Sequence, residues 1–136
     1  MSALTLYAKA SADFAAKLAE TKAVLLSAAQ TFSPLTQASS LGAEDMVITH
    51  LLGDTGIACS VFVLDTGLLH AQTLALIGRI EARYDRQVLV FRPQAEAASA
   101  FVSAHGDKAM YESVDLRKQC CGIRKMEPLG DRKSVV

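Results

Sequence analysis

Several features that would settle a protein's class early are missing from this sequence. No apolar run approaches the roughly 18 residues of a membrane span, and the opening "MSALTLYAKASADF" has no basic segment leading into a long apolar stretch. A cytoplasmic protein without membrane contact is expected. Neither sign of charge is in excess, since fourteen basic side chains stand against fourteen acidic ones, so no global field draws the chain to nucleic acid or to an acidic lipid surface. Any anion site must be local. Cysteine occurs three times, an odd number with two adjacent, which is not the disulfide framework of a small secreted domain. Adjacent cysteines also bridge badly, because their Cα atoms sit about 3.8 Å apart across a trans peptide, below the usual disulfide range of about 4.4 to 6.8 Å. A reduced compartment or a metal is the better expectation. There is no GxGxxG and no Walker lysine, which disfavours an ordinary phosphate-transferring loop, and there is no CxxC.

What is present is the composition of a folded domain. The 136 residues suit one core, and 51 % apolar against 21 % charged residues is far from the signature of disorder. From Ser11 to Phe32 the chain is rich in Ala, Leu and Lys with no Gly or Pro, which predicts helix with Phe14, Leu18 and Leu25 on one apolar edge. Pro34 breaks it, and "LTQASS" is read as a short strand followed by a turn at Gly42. "EDMVITHLL" is read as a helix burying Val47, Ile48, Leu51 and Leu52. "ACSVFVLD" is a nearly continuous apolar run that suits a strand covered on both faces, with Cys59 as a small core residue. A helix from about His70 to Tyr84, a strand "QVLVF" and a helix "AEAASAFVSA" follow. This alternation predicts an α/β fold with a parallel sheet. Beyond His105 the charged stretch up to Leu129 is read as short helices or loops across one end of the sheet, where open α/β sheets bind ligands, and "GDRKSVV" has no clear pattern.

Three stretches could carry chemistry. "SSLGAED", Ser39 to Asp45, lies where a strand passes into a helix; small residues let backbone N–H groups approach an anion, and the helix N-terminus favours negative charge. The plain alternative is that Ser40 or a neighbour caps the helix. Glu44 and Asp45 would repel a phosphate if they faced it, so they are expected to turn aside or to make helix-terminal hydrogen bonds. "LDTG", Leu64 to Gly67, ends a strand at the carboxyl edge of the sheet, suited to sugar or base recognition or simply to a turn. His50 and His70 lack a partner at ligand spacing and are read as structural, and His105 could contact a ligand from its loop without being catalytic. Finally, Cys120 and Cys121 stand among Arg117, Lys118, Arg124 and Lys125, cations that would stabilise thiolates or an anionic metal centre. At an effective dielectric near 20, one cation about 4 Å from a unit negative charge is worth about 4 kcal/mol before solvation costs. Two thiols are nonetheless half of what zinc or an iron–sulfur cluster requires.

Taken together, "SSLGAED", "LDTG" and "HGDKAMYESVDLRKQCCGIRKMEPL" resemble the assimilatory adenylyl-sulfate and phosphoadenylyl-sulfate reductases. The resemblance extends from about Ser39 to Leu129. It implies a Rossmann-like adenine nucleotide alpha hydrolase fold of the PP-loop type, incomplete here, with residues 1–129 as the N-terminal part of a single reductase domain and 130–136 as an unmatched tail. It also implies that Ser39, Ser40, Gly42, Ala43 and Glu44 take the phosphosulfate, that Leu64, Asp65, Thr66 and Gly67 help hold the nucleoside, and that Lys125 lies between cluster and substrate. By the same resemblance Cys120 and Cys121 are two of four ligands of a [4Fe-4S] cluster, and adenylyl sulfate is the substrate. In the family a cysteine near the C-terminus attacks the sulfate sulfur, AMP leaves, and thioredoxin or glutaredoxin releases sulfite. No residue here matches that nucleophile or the second cysteine pair, so the chain is expected to be an inactive N-terminal fragment with no catalytic residue of its own. Competing expectations are phosphoadenylyl-sulfate reduction, a non-catalytic adenine-nucleotide-binding module, and a thiol sensor or intersubunit zinc site at the cysteine pair. A homo-oligomer is left open.

Overall fold

The computed structural model describes Thr5 and residues 8–133, with the side chains of 131–133 left aside. Helix α1 spans Phe14–Thr31 and strand β1 Leu35–Ser39. They are followed by α2 at Ala43–Asp54, β2 at Cys59–Leu64, α3 at Ala71–Tyr84, β3 at Val88–Phe91 and α4 at Ala95–His105. The chain then makes a 3₁₀ turn at Ala109–Tyr111, helix α5 at Val114–Cys121, a π-helical turn at Gly122–Met126 and helix α6 at Glu127–Lys133. Helix α6 thus runs on into the stretch for which the sequence pattern gave no structure.

The three strands form one parallel sheet in the order β1-β2-β3, as their alternation with helices predicts. Leu35 lies opposite Cys59 and Ser39 opposite Val63, while Val61 lies opposite Val88 and Leu64 opposite Phe91. Every strand therefore ends at the same edge, and each following loop opens there. Side chains alternate across a strand, so Val61, Val63 and Val88 share one face. They pack with Leu41 and Ile80, and Met46, Leu76, Ile77 and Tyr84 lean on this core. Close approach of α2 to α3 depends on Gly53, where a Cβ would fall within 2.6 Å of the Tyr84 ring.

Four sequence expectations need correction. Strand β2 is fully buried on one face only: Phe62 and Leu64 on the other are half-exposed, with Phe62 stacked on Phe91 at 5.3 Å. A continuous apolar run cannot tell a strand covered twice from one whose second face borders a cleft. In α2 the buried side chains are Thr49, Leu51 and Leu52, whereas Val47 is 56 % exposed. Consecutive apolar residues from Met46 to Ile48 wrap too far round a helix for all of them to face the sheet. Helix α1 buries none of its side chains, and Phe14 is exposed. Cys59, placed in the strand as expected, is half-buried rather than in the core.

A second, smaller cluster unites Phe101 of α4, Ala109 and Cys120, with Met110, Leu116 and Ile123 against it. Ser113 caps α5 by accepting a hydrogen bond from the Leu116 amide at 3.1 Å. This cluster holds the C-terminal helices beside the carboxyl edge of the sheet. No helix among the described residues is long and apolar enough to cross a membrane.

Candidate functional site

At the end of β1 the chain turns sharply at Leu41, whose backbone is left-handed at φ 64° although it is not glycine. A buried leucine holds such a conformation only where its surroundings repay the strain, and Leu41 is anchored in the core. Gly42 is extended and serves as the N-cap residue of α2 without a side-chain cap bond. Its demand for glycine is spatial, since a Cβ would lie 3.1 Å from Ser40 Oγ and 3.4 Å from the Glu44 carboxylate. Ser40 does not cap the helix in the ordinary sense. Its amide and hydroxyl both donate to Asp45 Oδ2 at 2.6 Å, and its oxygen accepts from the Gly42 amide at 3.2 Å. Ser39 Oγ accepts from the Leu41 amide at 3.1 Å. Asp45 is therefore turned onto the loop and fixes its shape, while Glu44 stays exposed. The amides of Ala43 and Glu44, in the first turn of α2, have no carbonyl four residues back to bond. Those N–H groups and the helix dipole are what the loop offers an anion.

At the end of β2, Asp65 is buried, and its carboxylate is engaged within the fold. Oδ1 accepts from the Gly67 amide at 3.0 Å, and Oδ2 accepts from Arg92 Nε at 3.1 Å. Gly67 sits at φ 79°, a left-handed position that favours glycine. Thr66 Oγ1 accepts from the Leu68 amide at 3.2 Å, and the Thr66 carbonyl accepts from Arg124 Nη1 at 2.7 Å. Asp65 thus shapes the turn, and Arg124 ties it to the C-terminal helices.

The π-helical turn after Cys121 brings the third segment in. Wide turns of this kind occur mostly as single turns within α-helices and are frequent at functional sites. Successive helical residues diverge by roughly 100°, and Arg124 and Lys125 enter different clefts. Lys125 faces Ser39, Ser40, Leu64 and Thr66 across a cleft of about 340 Å³ whose apolar wall includes Phe62 and Leu69. Arg124 joins Asp65, Gly67 and Arg92 around a neighbouring cleft of about 630 Å³, with Ser99 and Ser103 of α4 on its far wall. Of the residues expected at the site, Ser39, Ser40, Leu64, Thr66 and Lys125 share one cleft, Asp65 and Gly67 border the next, and Gly42, Ala43 and Glu44 line neither. Sequence reasoning missed Arg92 altogether and missed the bond from Arg124 to the Thr66 carbonyl in the turn after β2. Arg92 follows directly on the last residue of β3, so its position at the carboxyl edge was the available signal.

The smaller cleft pairs hydroxyls and the Lys125 cation with an apolar wall, and the one carboxylate on its lining, Asp45, is engaged by the Ser40 amide and hydroxyl, which suits an anionic ligand bearing a flat apolar part. It contains no thiol. Cys59 begins β2, about 17 Å from its far end at a strand rise of about 3.3 Å per residue. Burial pushes the Cys59 thiol above its ordinary value, partly offset by Arg86. Cys120 is 5 % exposed against Phe101 and Ala109, and Cys121 is half-buried beside it. Arg117 Nε donates to the Met110 carbonyl at 3.2 Å, which braces the 3₁₀ turn. Among the described residues no group of three His, Cys, Asp or Glu side chains could hold a metal ion. The donor set on this stretch therefore does not by itself fit a four-thiolate cluster or a zinc site. His50 hydrogen-bonds Tyr84, and His105, read from the sequence as a loop residue that could meet a ligand, ends α4 and rests on the Phe101 ring at 5.1 Å.

Residues 34–134 match the phosphoadenosine phosphosulfate reductase domain. The chain belongs to this family. An adenosine 5'-phosphosulfate reductase of Burkholderia cepacia is 44 % identical over 117 residues, covering 86 % of this chain and 47 % of that protein. The protein of the same name from Neisseria meningitidis serogroup A is 52 % identical over 93 residues, covering 68 % of this chain and 38 % of its own length. The chain thus spans less than half of these curated relatives. A crystal structure of phosphoadenylyl-sulfate reductase from Candida auris, a phosphate complex, superposes with a TM-score of 0.66 at 25 % identity, over 93 % of this chain and 64 % of that one. The family's fold is the adenine nucleotide alpha hydrolase type expected from the sequence, a parallel sheet flanked by helices.

Proposed function

We propose that the whole protein reduces adenylyl sulfate to sulfite and AMP in sulfate assimilation, in the cytoplasm, and that residues 1–129 supply the sulfonucleotide-binding part of its single reductase domain. The observation that carries this reading is the convergence of Ser39, Ser40, Leu64, Thr66 and Lys125, drawn from three separated motifs, on one cleft at the carboxyl edge of the sheet. Lys125 and the hydroxyls of Ser39 and Ser40 take the phosphosulfate, with the N-terminus of α2 adding its dipole from outside the cleft, and the apolar wall and the Leu64–Gly67 backbone take the nucleoside. Relatives named for adenosine 5'-phosphosulfate at 44 % and 52 % identity support that substrate over its 3'-phosphorylated form. The two electrons come from a dithiol of thioredoxin or glutaredoxin, which leaves as a disulfide while the sulfate sulfur is reduced and AMP departs.

Cys120 and Cys121 are read as two of the four ligands of a [4Fe-4S] cluster completed by thiolates from beyond this stretch. Such a cluster would supply fixed charge beside the substrate, and the cations of α5 and the π turn would balance it. No thiol borders the sulfonucleotide cleft, so the 136 residues alone bind and do not reduce.

Calorimetry with adenylyl sulfate tests the site: binding should be measurable, weakened by Lys125→Ala and by Gly42→Val, and accompanied by no sulfite release with thioredoxin. Unaltered affinity in both variants would sink the assignment. Fusion to the C-terminal half of a family member should then restore sulfite release and a stoichiometric cluster that is lost on Cys120→Ser. A fusion that binds nucleotide, holds no cluster and releases no sulfite would favour the non-catalytic nucleotide-binding module.

A further inference from the structure

A groove of about 750 Å³ runs between α2 and α3 and shares no lining residue with the two clefts of the sulfonucleotide site. Its floor is apolar, formed by Met46, Val47, Leu76 and Ile80. Val47 is 56 % exposed there, whereas Thr49, Leu51 and Leu52 of the same helix are buried. Arg79 and Arg83 stand one turn apart on its rim, both exposed, and no acidic side chain lines the groove. Among the described residues neither arginine makes an ion pair; Arg83 only covers the Tyr84 ring at 5.7 Å. Tyr84 closes one end, held by His50 Nδ1 at 3.0 Å and seated against Gly53, where a side chain would displace it. The groove is thus an apolar trough between two packed helices, bordered by cations only.

We propose that this groove docks an acidic amphipathic helix of a partner protein. Its run along α3 from Leu76 to Tyr84 is about 12 Å at 1.5 Å per residue, the length of roughly two helical turns. A helix entering it would place apolar side chains at i, i+3, i+4 and i+7 on the floor and its flanking carboxylates against Arg79 and Arg83. An open trough favours such a segment over an enclosed small molecule, and two like charges one turn apart without a counter-ion are relieved by an acidic occupant and aggravated by a basic one. The proposal does not depend on the sulfonucleotide reading, because the groove and that site have no residue in common.

A labelled helical peptide with leucines at those four positions and glutamates on both flanks is the probe, read by fluorescence anisotropy against the full chain. It should bind saturably, and its lysine-for-glutamate counterpart should bind at least about tenfold more weakly, a difference of about 1.4 kcal/mol. Arg79→Glu with Arg83→Glu should invert the preference, and Arg79→Gln with Arg83→Gln should abolish it, both with unchanged circular dichroism and unchanged affinity for adenylyl sulfate. Equal binding of the two peptides, or a preference that survives charge reversal, overturns the proposal. So does self-association in sedimentation velocity that Val47→Glu abolishes, which would make the groove an interface between two copies of this chain.

Discussion

The two helical ends of the molecule obey different rules. Helix α1 has eighteen residues and buries none of them, leaving Val24 at 61 % and Phe14 at 52 % exposure. Helix α5 has eight residues, yet it buries Cys120, and the π turn that continues it bonds the Thr66 carbonyl through Arg124 and lines a cleft through Lys125. The first is helical because Ala, Leu and Lys favour helix wherever they stand. The second, with Cys-Cys-Gly-Ile in its path, has a poor local preference and is kept in place by its contacts. Intrinsic propensity and functional placement are therefore separable here, and substitution at each end should separate them.

The largest effect is expected at the anchor of the C-terminal helices. Phe101→Ala should cost about 3–5 kcal/mol in urea unfolding, the usual toll for emptying a buried aromatic site, and should weaken adenylyl sulfate binding by displacing Lys125. A stable variant that binds normally would show that the small cluster does not position the site. Next comes Lys125→Ala, which removes a charge without touching a core. Adenylyl sulfate should bind about tenfold to a hundredfold more weakly, in line with a lost charged hydrogen bond of about 1.5–3 kcal/mol, while the melting temperature holds.

That pairing of Phe101 with Lys125 also marks what the sequence could disclose. Strands β2 and β3 were legible because apolar β-branched runs bounded by turns admit few other readings, and the glycines of "SSLGAED" and "LDTG" marked the turns after β1 and β2. The meeting of Lys125 with Ser39 was legible only through resemblance, because nothing local ties positions so distant in the chain. Val47 was misplaced because its neighbours Met46 and Ile48 are apolar too, so the helical period was ambiguous. The left-handed backbone belonged to Leu41 rather than Gly42, a position no propensity singles out. Arg92 was overlooked because one arginine after a strand has no motif, although it pairs with Asp65.

At the other end, Val24→Ser should change unfolding free energy by no more than about 0.5 kcal/mol, as an exposed position should, and leave ligand affinity alone. A larger loss would mean that α1 packs against something in solution. The smallest effect belongs to the contact of α1 with α2, where Lys22 Nζ meets Asp54 Oδ2 at 2.6 Å. The hydrogen bond from Lys22, and then its charge, holds the Asp54 carboxyl below its ordinary value. A lowered carboxyl stabilises the fold above the ordinary carboxylate range and loses that contribution as pH falls through the lowered value. Lys22→Ala should therefore lower the melting temperature slightly at neutral pH, and the gap from the unsubstituted chain should close as the pH is taken down through the lowered carboxyl, below the ordinary carboxylate range. A gap that stays constant with pH would remove the ion pair from the account.

The hydrogen bond from Arg124 to Thr66 joins residues 58 positions apart. A chain must close that long loop before the bond can form, and closure of distant segments lags behind local helix and turn formation. The cleft at the carboxyl edge is then among the last parts of the molecule to assemble and, by the same logic, among the first to open. A bound sulfonucleotide would act as a clasp on that closure, slowing amide exchange in α5 and the π turn more than in the sheet beneath them.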